Sequence, residues 1–436
     1  MHVTFIRRKV STMNQAALVK EALPEFFRDV EVVGPATLEV EKYRALHART
    51  LGNYFAANPK TDIEVKSNFS PVLLATKSVK EAYQSNNFSK IKQMEKDAQK
   101  DLQPIYTNVS TKGASAWTKV RKNGKEFYMS WSSTGSMWAY TDSITPVAKN
   151  SLTGETTYQA VVQVGSYTAT GKIAGIQTYN LTLTTLLVES AIAYIVARAV
   201  SGIIAEGLGF LVARFAMFLA EAAAELGLQG FAFFVSEAAL ATVASCLVFA
   251  VVFIGLAYLW NWLNRKYTIR LQIFNWDDKS DWSAAGQYMS NAKIAGGDEK
   301  MDFNIPKLVA PGDIVVPPGF EPVEALDSVC SYAVVVWEND NTFMEGCSMA
   351  VKMKQSGTEN GFMWAFDCPR WSDNKQAAKN GLEDPKTYRN NANWNSSPRN
   401  FAINATPSSI PVNFALDALS GASDDLYNII INVNKK

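Results

Sequence analysis

Hydrophobic and polar positions alternate with more than one period along this chain. From Asn14 to about Leu102 apolar residues recur every three or four positions, in AALVKEALPEFFRDV, VEKYRALHARTLGNYF, PVLLATKSVKEAYQ and FSKIKQMEKDAQKDL. That spacing places the apolar side chains on one face of a helix and predicts an amphipathic bundle. Between Ala116 and Ser133 the period drops to two, with Trp117, Lys119 and Arg121 facing Phe127, Met129 and Trp131 across Asn123-Gly124. Asn-Gly suits a type I′ turn, whose two central positions both need positive φ, so a β-hairpin is expected. Ser151–Thr185 is rich in Ser, Thr and alternating apolar residues and has few charges. It reads either as ordinary amphipathic strands or as a membrane-inserting β-hairpin, in which lumen-facing and lipid-facing residues alternate in the same way.

The pattern then changes abruptly. Leu186–Asn264 carries only Glu189, Arg198, Glu206, Arg214, Glu221, Glu225 and Glu237 as charges, and Ala238–Asn264 carries none. As a helix the uncharged stretch would reach about 40 Å, more than the roughly 30 Å hydrocarbon core of a bilayer. Trp260, Trp262, Arg265 and Lys266 follow in the order typical of a membrane boundary. Gly202, Gly207, Gly209 and Ala222–Ala224 would let the preceding helices approach closely. From Thr268 onward short β-rich runs return (TIRLQIFNW, DIVVPP, SYAVVVWEND, SMAVKMK, GFMWAFDCPRW, YNIIINVN), separated by Gly, Pro, Asn and Asp, as in a sandwich. Ser372–Pro398 is polar and aperiodic, and reads as a long surface loop.

Composition sharpens this division. With 436 residues the chain exceeds the roughly 250 to 300 that one core supports, so two or three domains are expected. Charged residues are 19% and hydrophobic ones 47%, an average that conceals the apolar stretch. The net charge of +1 divides near Tyr267 into roughly +7 before and about −6 after, favouring distinct modules and giving no basis for a nucleic-acid partner. The amino terminus has no long apolar h-region or A-x-A site, so release by a non-classical route or by lysis is expected.

Little catalytic chemistry is available. His2 and His47 are the histidines, which leaves a Ser-His-Asp triad without support, and no cofactor, metal or enzymatic activity is expected. Gly165 to Lys172 only superficially resembles a phosphate loop, since its spacing is wrong and Ile173 stands where Ser or Thr would bind magnesium. The cysteines are Cys246, Cys330, Cys347 and Cys368, with no CxxC pair for zinc; the last three either include one disulfide or remain buried thiols. Asp277, Asp278 and Asp281 lie near Trp276 and Trp282, an arrangement that could bind calcium or sugar hydroxyls but, without EF-hand spacing, reads first as a solvated acidic turn. Trp337 and Trp364 sit in alternating strands and belong in a core, whereas Trp276, Trp282, Trp371 and Trp394 are candidates for membrane or receptor binding.

An apolar helical region at Leu186–Asn264 followed by the strand run from Thr268 to Asn434 resembles the α-helical pore-forming toxins and, more loosely, the insecticidal crystal toxins. The mixed β signal of Trp117–Thr185 ahead of the apolar stretch departs from the crystal toxins. The aromatic-rich module is more remotely similar to actinoporin and aegerolysin lipid-binding folds, which lack an apolar bundle. The resemblance implies an α+β multidomain protein: residues 1–185 mixed helical and β, residues 186–266 a helical bundle with an apolar central helix, and residues 267–436 an antiparallel β-sandwich for targeting. Such a protein would attach to a lipid membrane, or to a glycan or protein receptor on it, and then insert an apolar helix; the resemblance assigns no residues, and the uncharged stretch itself nominates Leu247, Val248, Phe249, Val251, Val252, Phe253, Ile254, Trp260 and Trp262. It would act as a homo-oligomer, since one helix cannot enclose a channel. The competing expectations are a constitutive integral membrane protein and a non-lytic structural or carbohydrate-binding protein.

Overall fold

A computed structural model of the chain describes residues 23–35, 64–66, 72–112, 117–149, 151–152, 154, 156–184, 268–294, 304–314, 316–339, 346–394, 399–405, 409–420 and 426–435. In chain order the first elements are β1 (Glu31–Pro35), β2 (Glu64–Lys66), β3 (Val72–Thr76), helices α1 (Lys77–Gln84) and α2 (Phe88–Lys112), then β4 (Thr118–Lys122) and β5 (Lys125–Trp131). Three long strands follow: β6 (Gly135–Lys149), β7 (Thr156–Thr168) and β8 (Ile173–Thr184). The carboxy-terminal part contributes β9 (Thr268–Asn275), β10 (Trp282–Ser290), β11 (Ala292–Ile294), β12 (Asn304–Ile305), β13 (Leu326–Asn339), β14 (Cys347–Gln355) and β15 (Gly361–Cys368). It ends with β16 (Lys375–Asn380), helix α3 (Pro385–Asn391), β17 (Asn400–Ala405), β18 (Ile410–Leu416) and β19 (Leu426–Val433).

Strand accounts for about 53% of these residues and helix for about 15%. The expected α+β arrangement built on a helical bundle is therefore overturned, and the likeness to α-helical pore-forming toxins falls with it. Residues 186–266, with every membrane-insertion candidate from Leu247 to Trp262, lie outside the described residues. Among those described, no helix is long and apolar enough to cross a membrane.

The larger sheet has fourteen strands, and its main path runs β1-β4-β5-β6-β7-β8-β3-β13-β9-β19-β18-β17, with β2 on β8 and β11 on β13. β3 and β13 pair directly, Leu74 opposite Val329, so one sheet joins the amino-terminal and carboxy-terminal parts. A second sheet, β12-β10-β14-β15-β16, packs over β13, β9, β19 and β18. Between the two lies a dry core in which Trp337 stacks on Trp364 at 6.4 Å and Phe362 meets Phe414 edge-on at 5.7 Å.

Alternation along β9 explains the layering. Ile269, Leu271 and Ile273 enter that core, while Arg270, Gln272 and Phe274 face the opposite side, where α1 and α2 lie. β19 (LYNIIINV) is buried at all eight positions, as a strand covered on both faces must be, and so lacks an apolar–polar alternation. Its asparagines serve the helix side: Asn432 Nδ2 donates to Tyr83 O at 3.1 Å, and Asn428 Oδ1 accepts from Arg270 Nε at 2.6 Å. Arg270, 3% exposed, also donates to both carboxylate oxygens of Glu95 on α2, at 3.0 to 3.1 Å.

Several helical expectations fail for identifiable reasons. In PVLLATKSVKEAYQ, Val72–Thr76 is a strand held between β8 and β13, and the helix starts only at Lys77, where Thr76 caps it by accepting from Val79 N–H at 3.4 Å. A five-residue apolar run fits a buried strand as well as a helix, and its shortness favours the strand. PEFFRDV is irregular: Phe26 and Phe27 plug the inner face of β5–β7 beside Phe127, Trp138 and Tyr167, tied by Arg28 N–H to Gly319 O at 2.9 Å. The Asn123-Gly124 hairpin is present, with φ of 52° and 76°, but Val120 lies opposite Phe127 and Arg121 opposite Glu126. Ser372–Pro398 is not one loop, since it holds β16 and α3, the latter started by Asp384, which accepts from Thr387 N–H at 2.8 Å, with Pro385 behind it.

Candidate functional site

Register carried across the larger sheet shows what gathers at one of its edges. Ile176 on β8 pairs with Val72, Val72 with Ser331, and Ser331 with Asn275 on β9. Direction reverses at each of these antiparallel steps, so passing from Ile176 to Thr184 corresponds to passing from Asn275 back to Thr268. Thr184 and Thr268 thus lie at the same edge of the sheet. The β6–β7 turn lies there too, because Lys149 pairs with Thr156 and Thr157 with Thr184. In that turn Leu152 is 95% exposed, and Val147 just before it is 52% exposed.

β6, β7 and β8 have 15, 13 and 12 residues, and β7 and β8 contain no Asp, Glu, Lys or Arg. Their pairing sets Tyr158 opposite Leu183, Ala160 opposite Leu181, Gln159 opposite Thr182 and Gln163 opposite Thr178, with Val161 opposite Asn180 and Val164 opposite Gln177 as mixed pairs. Near the base, Trp138 and Tyr140 are buried opposite Gly165 and Gln163. A Cβ on Gly165 would lie 2.3 Å from the Trp138 ring, so only glycine leaves room for that indole. The β7–β8 turn is fastened to α2 by Asp101, whose carboxylate accepts from Thr170 N–H at 2.8 Å.

The second sheet brings a polar depression to the same edge. Thr268 pairs with Glu338 and Ala292 with Asn339; Ser290, two residues before Ala292, lines an open hollow of ≈ 320 Å³. Trp371 stands on its rim, 82% exposed, with the Arg370 guanidinium 5.0 Å from its ring centre. Arg389 crosses the hollow, donating to Ser348 Oγ at 2.9 Å and approaching Asp367 at 3.6 Å. Cys347 forms part of the wall and lies opposite Cys368 in the strand register. The neighbouring Cys347 thiol, together with burial, pushes the Cys368 thiol far above the ordinary thiol range.

The sequence-derived tryptophans therefore have unlike settings. Trp276 is buried, its Nε1 donating to Asn432 Oδ1 at 2.7 Å, and Trp282 is buried against Phe362 in the sandwich core. Trp394 is half-buried beside Ala350, Met363 and Tyr388, and Trp371 is the one open to solvent. Asp277 and Asp281 brace backbone, accepting from Lys279 N–H at 3.0 Å and Lys307 N–H at 2.9 Å. Among the described residues no group of three or more His, Cys, Asp and Glu is placed to hold a metal ion. The sequence pointed to neither the exposed Val147 and Leu152 nor the opposition of Cys347 to Cys368. The first lies in an unremarkable turn, and the second needs a strand register that spacing alone does not provide.

No family model matches the chain, and no curated protein matches it. Among solved structures it is similar to IP-1A from Alcaligenes faecalis, with 11% identity over 39% of this chain and 93% of that one and a TM-score of 0.20, too slight a likeness to bear on fold or function.

Proposed function

We propose that this protein attaches to a lipid membrane and permeabilises it by passing the distal part of the β6–β7–β8 ladder into the bilayer as an oligomer. The observation that carries this reading is the ladder itself. β7 and β8 are uncharged, their 13 and 12 residues reach the roughly 9 to 11 of a transmembrane strand once part of the base is included, and their register sets Tyr158, Ala160 and Val162 opposite Leu183, Leu181 and Tyr179, with Val161–Asn180 and Val164–Gln177 as mixed pairs. A backbone enters hydrocarbon only with its polar groups satisfied, and strands that already bond one another meet most of that demand. Three strands cannot close a barrel, whose smallest membrane form has about eight, so several copies would have to join edge to edge.

The edge holding the β6–β7 turn supports the same reading. Leu152 and Val147 offer apolar contact, Trp371 is an interfacial aromatic, and the uncharged Ala238–Asn264 stretch lies in the sequence between Thr184 and Thr268, both at that edge. Release from a cell, a target membrane and a receptor on it are parts of this proposal.

Vesicles loaded with a self-quenched dye test it. The unaltered chain should release dye, Val162→Asp in the apolar row should abolish release, and Gln159→Asp in the polar row should leave most of it, because mid-bilayer charge costs on the order of 2.5 to 3.5 kcal/mol per copy. Equal effects of the two substitutions, or intact vesicles with the unaltered chain, would sink the proposal. Val248→Asp run alongside reports on the apolar stretch separately.

A further inference from the structure

The three described cysteines are not equivalent. Cys330 lies in β13, wholly buried, with its thiol shared between the Asn275 and Ser331 carbonyls. Cys347 and Cys368 are the first residue of β14 and the last of β15, directly opposite one another. Residues so opposed in antiparallel strands have Cα atoms about 4.5 to 5.5 Å apart, inside the roughly 4.4 to 6.8 Å range that disulfides span. Both are free thiols, 2% and 1% exposed. Two adjacent thiols in an apolar core would need only packing to explain them, but this pair sits at the strand ends, where Cys347 borders the open hollow under Trp371.

We infer that Cys347 and Cys368 form a thiol–disulfide site that closes into a cross-strand disulfide when the protein meets a small-molecule disulfide such as oxidised glutathione. Cys347, reached through the hollow, gives up its proton to water and its thiolate attacks one sulfur of the oxidant. The S–S bond of the oxidant breaks, a mixed disulfide forms on Cys347, and one glutathione thiolate departs and takes up a proton. Cys368 then loses its proton and attacks the Cys347 sulfur, forming the protein disulfide and expelling the second glutathione. Two protein thiols are oxidised and one small disulfide is reduced to two thiols. Because the Cys368 thiol is held well above the usual range, exchange should quicken as pH rises. The bond would pin the β14–β15 ladder at the hollow, whether or not the chain acts on membranes.

The full-length chain, prepared reduced, would be incubated folded with oxidised glutathione, blocked with a maleimide, digested and mapped by mass spectrometry. The expected product is a linked peptide pair joining Cys347 to Cys368, two hydrogens lighter than the free peptides. It should come with a rise in melting temperature of roughly 5 to 10 °C. Cys368→Ser should instead trap glutathione on Cys347 and abolish the rise. Recovery of both residues as maleimide adducts, glutathione held singly on the unaltered chain, or a preferred link to Cys246 or Cys330 would overturn the inference. The unaltered chain alone decides the linkage, so a poorly folding variant leaves the test intact.

Discussion

The two ends of the larger sheet are built on opposite plans. Around β13, β9 and β19 each strand is covered twice, by the second sheet on one face and by α1 and α2 on the other, and β19 has no exposed residue. Along β6, β7 and β8 the aromatic side chains that are described pack at the base, at Trp138, Tyr140 and Tyr167, while residues 145–149 are exposed. The first end is fixed by large side chains that nothing can replace cheaply. The second owes more of its order to backbone ladders and to small polar side chains, which a different environment could satisfy as well.

The sharpest way to break this contrast is to empty the double-covered end. Trp364→Ala removes a ring stacked on Trp337 and Phe366 at 6.4 and 6.1 Å, and should cost about 3 to 5 kcal/mol in denaturant unfolding. Next comes the polar tie between layers. Glu95→Gln leaves the buried Arg270 guanidinium without its counter-charge and should cost about 3 kcal/mol, whereas replacing both by Leu and Met should recover most of that loss. Were the double replacement as damaging as the single one, geometry rather than unpaired charge would be the cause. At the base of the ladder, Gly165→Ala drives a methyl into the Trp138 indole and should cost about 1 to 3 kcal/mol, marking where firm packing stops.

How much of this was legible in the sequence follows the same division. The apolar strands from Thr268 onward could be read, because buried strands announce themselves through β-branched and aromatic residues, and the carboxy-terminal sheets pack as a sandwich, though not the antiparallel one expected, since β19 runs parallel to β9. β17 and β18 escaped notice, since NFAINA and IPVNFAL are short and interrupted by Asn and Pro. The amino-terminal part was misjudged because helix and strand periods coincide over a few apolar residues, as in VLLA, and because only tertiary pairing shows that β3 completes a sheet begun by distant strands. The candidate edge was partly visible in the alternation of Ser151–Thr185. Trp371 stood among four tryptophans that no local pattern separates, and only burial distinguishes it from Trp276 and Trp282.

Acid offers a gentler probe. The Lys80 ammonium, bonded at 2.8 Å, holds the Asp327 carboxyl below its ordinary value and ties α1 to β13. A carboxyl depressed on folding stabilises the protein above its unfolded value of about 4 and loses that contribution as pH falls through its folded value. Both side chains are about a third exposed, so solvent screening keeps the effect below about 1 kcal/mol. Lys80→Ala should therefore lower stability at neutral pH by no more than about 1 kcal/mol, flatten the profile as pH falls below about 4, and make little difference in stronger acid.

The smallest expected change in stability is the most informative about the distal edge. Leu152 is 95% exposed and Leu416 is 1% exposed, so the same residue type has opposite work in the two regions. Leu416→Asp would place an unpaired carboxylate in the sandwich core and should prevent folding. Leu152→Asp removes no buried contact and should shift unfolding by no more than about 0.5 kcal/mol. If the edge meets a bilayer, the second substitution should still weaken association with neutral vesicles about tenfold, which corresponds to roughly 1.4 kcal/mol of lost apolar transfer, measured by vesicle sedimentation. Unchanged sedimentation would confine any lipid contact to other parts of the surface. A loss of binding without a loss of stability would place membrane affinity at the end of the sheet that the core does not need.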